Sequence, residues 1–226
     1  MKTKLLIFCS LLTIGAVPVV NAQQSAAIIR GGVNLANVSN NEDGGYSDAN
    51  MLTSFQVGVI GDINLTEFLA LQPGILYTGK GIKWQRGEQP SDLGYQKITF
   101  NPQYLEIPVN LVFKTPTGNA KFFAGAGPYV AMGVGGRFKG TGLFEFDEKI
   151  KYSDDDPLTS EEEGAGAFRV KRFDYGLNGT IGIEASNLVI SANYGLGLAK
   201  LQSGTDSEDD QNNKHRVLSF TLGFKF

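Results

Sequence analysis

The feature that most constrains this chain is a strict alternation of apolar and small or polar side chains along several segments. The alternation is clearest at the C-terminus, where every second residue from Leu218 to Phe226 is large and apolar. Residues 105–113 and 173–183 follow the same pattern. A period of two residues is the signature of a β-strand with two different faces, and no segment carries a convincing helical period. The sequence therefore predicts an all-β fold.

Counting the alternating segments gives eight strands. They fall at residues 26–39, 52–65, 68–85, 97–115, 120–146, 168–186, 187–203 and 215–226. Short connections at 65–67, 115–119 and 185–187 alternate with long polar ones at 40–51, 86–96, 147–167 and 204–214. Successive connections of antiparallel strands lie at opposite ends, so all short turns share one end with both termini. This asymmetry is typical of outer-membrane barrels, and we predict an eight-stranded antiparallel up-and-down transmembrane β-barrel.

The N-terminal residues have the properties of an export signal that is cleaved before folding. Two lysines precede an apolar stretch at residues 5–20, and Val20-Asn21-Ala22 provides small residues at a cleavage site. The apolar stretch is short for a retained membrane helix, which needs about 20 residues. The predicted organisation is a signal peptide at 1–22 and an outer-membrane barrel domain at 23–226.

Alternation alone leaves two arrangements open, because the apolar face could point outward to lipid or inward to the core of a soluble barrel. The opposite face favours the first, since it consists largely of Gly, Ser, Thr, Asn and Ala. Small residues suit the narrow interior of an eight-stranded barrel, where the few charges must pair. We predict that the apolar face contacts lipid and that eight charges lie inside. These are Arg30, Lys80, Lys114 and Lys225 with Asp62, Glu106, Asp174 and Glu184.

The distribution of charge along the chain supports this orientation. The four long loops hold 17 of the 23 Asp and Glu residues. A bilayer favours such segregation, because a charge on the lipid face costs up to ~2–4 kcal/mol at the midplane. The formal net charge of −3 provides no basic face for nucleic acid, so DNA and RNA are not expected partners. The predicted location is the bacterial outer membrane.

Aromatic residues near the strand ends are candidates for interfacial girdles, although β propensity explains each of them equally well. The candidates are Tyr46, Tyr77, Trp84, Tyr95, Tyr104, Phe113, Phe122 and Phe138.

Few residues could carry catalysis. His215 is the only histidine, and it lies at the loop end of the last predicted strand, where it could pair with Ser203 or Ser207. A solvated loop histidine is the simpler interpretation. Cys9 is the only cysteine and would leave with the signal peptide, so the sequence offers no His and Cys cluster for a metal. We predict no enzyme activity, no catalytic, cofactor-binding or metal site, and no cofactor.

Acidic runs in two loops raise one further hypothesis. Residues 154–156, 161–163 and 206–210 are rich in carboxylates, which could bind Ca²⁺ or Mg²⁺. Their spacing matches no EF-hand loop, and solvated loops are the simpler interpretation. The sequence leaves binding of divalent cations open.

Several short motifs resemble the PorT-like family of outer-membrane β-barrel proteins, and the likeness runs through nearly all of residues 23–226. The most specific motif is Tyr104-Leu105-Glu106-Ile107-Pro108. The others are Gly32-Val33-Asn34-Leu35, Tyr77-Thr78-Gly79-Lys80-Gly81, Gly125-Ala126-Gly127-Pro128-Tyr129, Asp174-Tyr175-Gly176, Tyr194-Gly195-Leu196-Gly197-Leu198 and the terminal Phe226. The resemblance implies an eight-stranded barrel inserted by the outer-membrane assembly machinery, which reads a last strand ending in an aromatic residue. It implies no chemistry.

Three functions are compatible with these features. The leading one is a non-enzymatic outer-membrane barrel with a plugged polar interior and acidic extracellular loops, in a structural or interaction role. Its partners would be outer-membrane lipid, the assembly machinery at Phe226, and a protein at the loops. The alternatives are a narrow porin or channel, and an exported soluble barrel that binds an apolar ligand.

Overall fold

The computed structural model describes residues 25–39, 49–87, 95–115, 120–142, 145–152, 169–199, 201 and 214–226. Within these ranges lie thirteen strands. They are β1 (Ala26–Ser39), β2 (Ala49–Asn50), β3 (Leu52–Asn64), β4 (Leu69–Gly79), β5 (Ile82–Arg86), β6 (Gln96–Lys114), β7 (Ala120–Gly142), β8 (Phe146–Lys149), β9 (Lys151–Tyr152), β10 (Arg169–Val170), β11 (Phe173–Ala185), β12 (Leu188–Gly197) and β13 (Lys214–Lys225). The described residues contain no helix with the length and apolar character that a membrane crossing needs.

Eight of the described strands form a closed antiparallel ring. The order around the ring is β1, β3, β4, β6, β7, β11, β12 and β13, and β13 pairs again with β1. Ring order follows chain order, so the predicted eight-stranded up-and-down barrel is confirmed. Closure matters because an open edge would leave backbone N–H and C=O groups unpaired, which is very costly in hydrocarbon.

The two ends of the ring differ. One end, here called the turn end, carries the tight links at 65–68 and 186–187. The first residues of β1 and the last residues of β13 also lie at this end. The opposite end, here called the loop end, is extended by short strands: β5 pairs with β6, β2 with β5, and β8 with β7. The strands β9 and β10 form a separate parallel pair. Outer-membrane barrels place short turns in the periplasm and longer loops outside, which makes the loop end the extracellular one.

Two predicted strands end at glycines with positive φ. The predicted strand 68–85 divides into β4 and β5 near Gly81, which has a φ of 149° and where a Cβ would collide with the carbonyl oxygen of Phe100. The predicted strand 120–146 ends at Gly142, which has a φ of 122°, and the chain returns along β7 as β8. Side-chain alternation continues through both breaks, so the sequence pattern does not reveal them.

Two more boundaries differ from the prediction by five residues or more. β11 begins at Phe173 instead of residue 168, and β12 ends at Gly197 instead of residue 203. Both differences lie at the loop end, where the strands leave the bilayer and the contrast between the two faces weakens. Alternation therefore defines the strands best within the membrane-spanning part of the ring.

The apolar face of the ring points outward, as predicted. Ile181 is 62% exposed and Phe113 is 57% exposed, and the large side chains that alternate with the inward positions of β6, β11 and β13 are also open. Six of the eight predicted interior charges are buried, while Arg30 and Lys225 are half-buried. An apolar outer face around a charged interior is the reverse of the polarity expected of a soluble barrel that binds an apolar ligand.

Two of the predicted girdle positions are wrong. Tyr104 is buried inside the ring, because it shares the inward face of β6 with Glu106. Phe138 lies opposite Phe100 in the β6–β7 register and packs against that ring on the inner side. Trp84 has the same strand parity as the buried Ile82, but its side chain is 38% exposed, so its place in a girdle stays a prediction. Tyr104 and Phe138 thus pack in the interior instead of at the lipid interface.

The other girdle candidates have different outcomes. Phe113 and Phe122 point outward beside the turn end, as expected of interfacial residues. Tyr77 is half-buried on the outer face, where its hydroxyl hydrogen-bonds to the side chain of Gln103. Tyr95 precedes β6 and is half-buried, and Tyr46 lies outside the described residues.

The outward orientation can be tested at Ile181. Replacing Ile181 with Arg places a charge on the lipid-facing side of β11 and should lower the free energy of unfolding by about 2–4 kcal/mol. Urea titration in lipid vesicles measures this, with Ile181→Leu as the matched control. An Arg variant as stable as the Leu variant would show that this side chain does not face hydrocarbon.

Candidate functional site: the charged interior

A group of ion pairs closes the inside of the turn end. This turn-end cluster consists of Asp62, Lys114, Glu184 and Lys225. The Nζ atoms of Lys114 and Lys225 lie 2.6 Å and 2.8 Å from Asp62 Oδ2. Lys225 also contacts Glu184 at 2.5 Å, and Lys114 lies 3.6 Å from the same carboxylate. Each carboxylate therefore has two ammonium partners.

Chain geometry explains why these four residues meet. Lys114 and Lys225 are the last residues of β6 and β13, and Glu184 is the penultimate residue of β11. All of these strand ends lie at the same end of the barrel. Gln72 donates a further hydrogen bond of 3.0 Å to Asp62 Oδ1. Buried charges are tolerated only with such complete partners, since an isolated one is strongly destabilising.

A second group of charges lies nearer the loop end. This central cluster consists of Lys80, Glu106, Asp174, Tyr129 and Tyr104. Lys80 Nζ lies 2.8 Å from Glu106 Oε2 and 2.8 Å from Asp174 Oδ2. The ammonium also sits 4.1 Å from the centre of the Tyr129 ring, a cation–π contact. The Tyr129 hydroxyl donates a 3.1 Å hydrogen bond to Asp174, so the cluster is held from several strands.

Local backbone structure directs Lys80 into the barrel. The residue occupies the short break between β4 and β5, beside the positive φ of Gly81. Its backbone N–H donates to the carbonyl oxygen of Pro102 at 3.0 Å. The amide of Asn178 donates to Glu106 Oε1 at 3.2 Å, which completes the partners of that carboxylate.

The central cluster gathers residues from four of the short sequence motifs. Lys80 comes from the motif that ends the third predicted strand, and Glu106 comes from Tyr-Leu-Glu-Ile-Pro. Tyr129 ends the Gly-Ala-Gly-Pro-Tyr motif, and Asp174 begins Asp-Tyr-Gly. Segments that are distant in sequence therefore supply one ion-paired network.

Arg30 is the predicted interior charge with the least direct pairing. Its Nη1 atom lies 3.4 Å from Asn193 Oδ1, and the described ion pairs do not include it. Beside it is a polar cavity of about 30 Å³, which Gln56, Glu106 and Asn110 also line. This volume suffices for one or two water molecules but not for a continuous aqueous path.

His215 is buried, so its interpretation as a solvated loop residue is wrong. β13 already begins at Lys214, and the parity of the strand directs His215 to the inner face. Its exposed fraction is 1%, and its Nε2 atom lies 3.3 Å from the hydroxyl of Tyr104. The two rings meet edge to face, with centroids 5.5 Å apart. Ser203 and Ser207 lie outside the described residues.

An apolar plug covers the central cluster at the loop end. Its fully buried members are Ile82, Phe100, Val170 and Leu201, and its half-buried members are Val38, Phe138, Ile150 and Tyr152. The Tyr152 hydroxyl anchors the plug by donating to the carbonyl oxygens of Gly135, at 2.7 Å, and Gln103, at 3.2 Å. The sequence does not predict this plug, because most of its members lie at the loop-end parts of predicted strands, and only Ile150 and Tyr152 are apolar residues inside a predicted polar loop.

The predicted divalent-cation site falls on parts of the chain that the structure does not describe. Residues 154–156, 161–163 and 206–210 lie outside the described ranges. Among the residues that are described, no three or more His, Cys, Asp or Glu side chains are grouped to hold a metal ion. Binding of Ca²⁺ or Mg²⁺ by the acidic loops stays a prediction.

A closed eight-stranded ring with an apolar outer belt and ion-paired interior defines an integral membrane β-barrel of the outer-membrane type. The family model described as outer membrane protein beta-barrel domain matches residues 21–203. The chain belongs to this family of outer-membrane β-barrel proteins, and its location is the bacterial outer membrane.

Several solved barrels are similar to the chain at low sequence identity. Ail of Yersinia pestis is 15% identical, with a TM-score of 0.43, over 90% of this chain and 100% of Ail. Neisserial surface protein A is 13% identical, with a TM-score of 0.44, over 89% and 99%. OprG of Pseudomonas aeruginosa is 14% identical, with a TM-score of 0.43, over 89% and 96%. No curated protein sequence matches the chain significantly.

The central cluster can be tested at Glu106. Glu106→Gln removes one of the two carboxylates on Lys80 while keeping the side-chain shape, and it should lower the free energy of unfolding by about 2–3 kcal/mol. Chemical denaturation in vesicles measures the change. The matched control is Glu148→Gln at an exposed position of β8, which should change stability by less than about 0.5 kcal/mol. Acids at 154–163 should behave like the control, and equal losses at Glu106 and Glu148 would contradict the interior role of Glu106.

Proposed function

We propose that the protein is a closed, non-conducting and non-enzymatic barrel that has a structural or interaction role at the cell surface. The observation that carries this proposal is the filled interior. From the turn-end cluster to the apolar plug, the described interior consists of paired charges and packed side chains around a cavity of about 30 Å³. Wide aqueous lumens occur in barrels of about 16–18 strands, twice the size of this ring.

A narrow channel is the second candidate, because charged side chains line the interior at two levels. An ion path, however, needs charges that are free to exchange partners with a passing ion. Here Lys80 is held by two carboxylates, and the carboxylate of Asp62 is held by two ammonium groups. Breaking such pairs for each ion would cost several kcal/mol, which opposes conduction.

The absence of enzyme activity is part of the same proposal. The interior position of His215 supports it, since a buried imidazole that contacts the Tyr104 hydroxyl has no access to an external substrate. A catalytic His in nucleophilic chemistry must reach both its nucleophile and the substrate.

We further propose that the chain is a PorT-like member of its family, that residues 1–22 are a cleaved signal and 23–226 the barrel domain, and that the assembly machinery reads the end of β13. The outward-facing ring of Phe226 supports the last point, because it is 60% exposed. Its backbone N–H donates to Ala27 O at 3.0 Å, which fixes the last residue in the closing pair of strands.

Conductance measurements test the closed interior. Purified protein inserted in planar lipid bilayers should produce no discrete conductance steps, at doses at which a 16-stranded porin does. Flotation with lipid vesicles and heat-dependent gel migration establish that the barrel is inserted and folded. Reproducible, ion-selective steps from the wild-type protein would replace this proposal with the narrow channel.

Site-specific photocrosslinking in intact cells tests the interaction role. A crosslinker at Thr159 in the acidic loop should capture a defined partner, whereas one at Thr66 in a tight turn should not capture it. A partner captured only from Thr66, or no crosslink from either position, would contradict an interaction role of the loops.

A further inference from the structure

The loop end carries a basic surface on its outer side. This rim patch consists of Lys83, Lys97, Arg137, Lys139 and Lys149, together with Asp147. Strand register brings its members into rows, because partners across neighbouring strands project from the same face. Lys83, Thr99, Lys139 and Asp147 form one row across β5, β6, β7 and β8. Asn101, Arg137 and Lys149 form the row beside it.

The rim patch faces away from the barrel axis. Phe100 and Phe138 alternate with its members along β6 and β7, and both pack into the apolar plug on the inner side. The patch must therefore lie on the opposite, outer face. Along β6, that same outer face continues through Gln103 to the lipid-facing Leu105, about 13 Å from Asn101 at 3.3 Å per residue. The basic surface thus begins where the apolar belt ends, at the height of lipid headgroups.

A groove passes through the patch. Its volume is about 570 Å³, and its lining includes Thr99, Asn101, Gln103, Arg137, Lys139 and Lys149. The side chains of Arg137 and Lys139 are 56% and 49% exposed, so both cations are open to a ligand. The described residues in the outward rows of β5 to β8 include five cations and one carboxylate. This excess is opposite to the net charge of −3 of the whole chain.

We propose that the rim patch binds the phosphate group of a phosphorylated lipid in the outer leaflet of the membrane. Guanidinium and ammonium groups are the side chains that recognise phosphate, the first through paired hydrogen bonds and the second as a point charge. The position of the patch selects a lipid as the source of that phosphate. The exposed apolar side chain of Val134 lines the groove together with Arg137 and Lys139, so a lipid whose acyl chains lie along Leu105 and Val134 would present its headgroup to these two cations.

Asp147 has a defined part in this site. Its Oδ2 atom lies 2.6 Å from Arg137 Nη1 and 3.1 Å from Lys139 Nζ. The hydrogen bond from Lys139 and the charge of Arg137 lower the pKa of the Asp147 carboxyl, so it stays ionised at neutral pH. An ionised carboxylate that holds both cations competes with an incoming phosphate. Its removal should therefore tighten binding, whereas removal of a purely structural residue would not.

Lipid binding to the purified full-length protein tests the site. The probes are lipid A with its two phosphates and the same lipid without phosphate, and native mass spectrometry in detergent measures the bound fraction. Wild type should prefer the phosphorylated lipid. A cation near an anionic lipid surface contributes about fivefold in affinity, so Arg137→Gln with Lys139→Gln should weaken binding about twenty-five-fold.

Two further variants make the experiment specific. Arg86→Gln with Lys121→Gln removes the same two residue types at exposed positions outside the patch and should leave binding within about twofold. Asp147→Asn should strengthen binding of the phosphorylated lipid severalfold. Thermal unfolding of each variant verifies that the barrel remains folded.

Four outcomes of the lipid-binding measurements would overturn the proposal, and a fifth comes from competition with free phosphate. They are equal affinity of wild type for the two lipids, retained binding after loss of Arg137 and Lys139, weaker binding by Asp147→Asn, and an equal loss in the Arg86 and Lys121 variant. Inorganic phosphate at 1 mM should not displace the lipid. Full displacement would mean that the patch is a site for free phosphate and not for a membrane lipid.

Discussion

The pairing of β1 with β13 is the interaction on which the rest of the structure depends. It joins the first and last strands over the register from Ile28 to Ser39 and removes the two edges that an eight-stranded sheet would otherwise expose. Hydrocarbon offers no hydrogen bonds to an open edge, so the sheet must close in order to span the membrane. Closure then fixes which side chains face inward, because each strand has only two faces.

A ring of eight strands encloses too little space for a water-filled lumen, and this limit determines the character of the interior. Small residues leave room for long charged side chains, and those charges persist only with partners. Two separate clusters satisfy this condition, one at the turn end and one below the apolar plug. The interior is therefore a packed core made of ions, amides and rings, surrounded by a surface suited to lipid.

Sequence reasoning succeeded where the bilayer imposes a contrast between the two faces. Strand parity alone predicts that Lys114 and Glu106 lie in the interior, and both are buried there. Which cation meets which carboxylate could not be predicted, because pairing depends on strand tilt and register around the ring. The ion pair between Lys80 and Asp174 is an example, since these residues are 94 positions apart in the sequence.

For His215 and Tyr104, nearness to a strand end is a worse guide than strand parity, which directs both inward. Beyond the bilayer, the alternating pattern itself fails. The short strands β8, β9 and β10 lie in pairings that no alternating pattern predicts, β8 with β7 and β9 with β10. Outside hydrocarbon, polar and apolar residues tolerate either face, so the sequence period loses its meaning there.

The position of Lys225 ties the neutralisation of charge to the completion of the sheet. Asp62 and Glu184 belong to β3 and β11, which precede β13 in the chain, and Lys225 reaches both only when β13 has docked beside β1. Without Lys225, the two carboxylates would share the single ammonium of Lys114. Lys225 therefore completes the charge balance of the turn-end cluster only in the closed ring. A barrel that lacks its final strand would carry one uncompensated negative charge at its periplasmic opening.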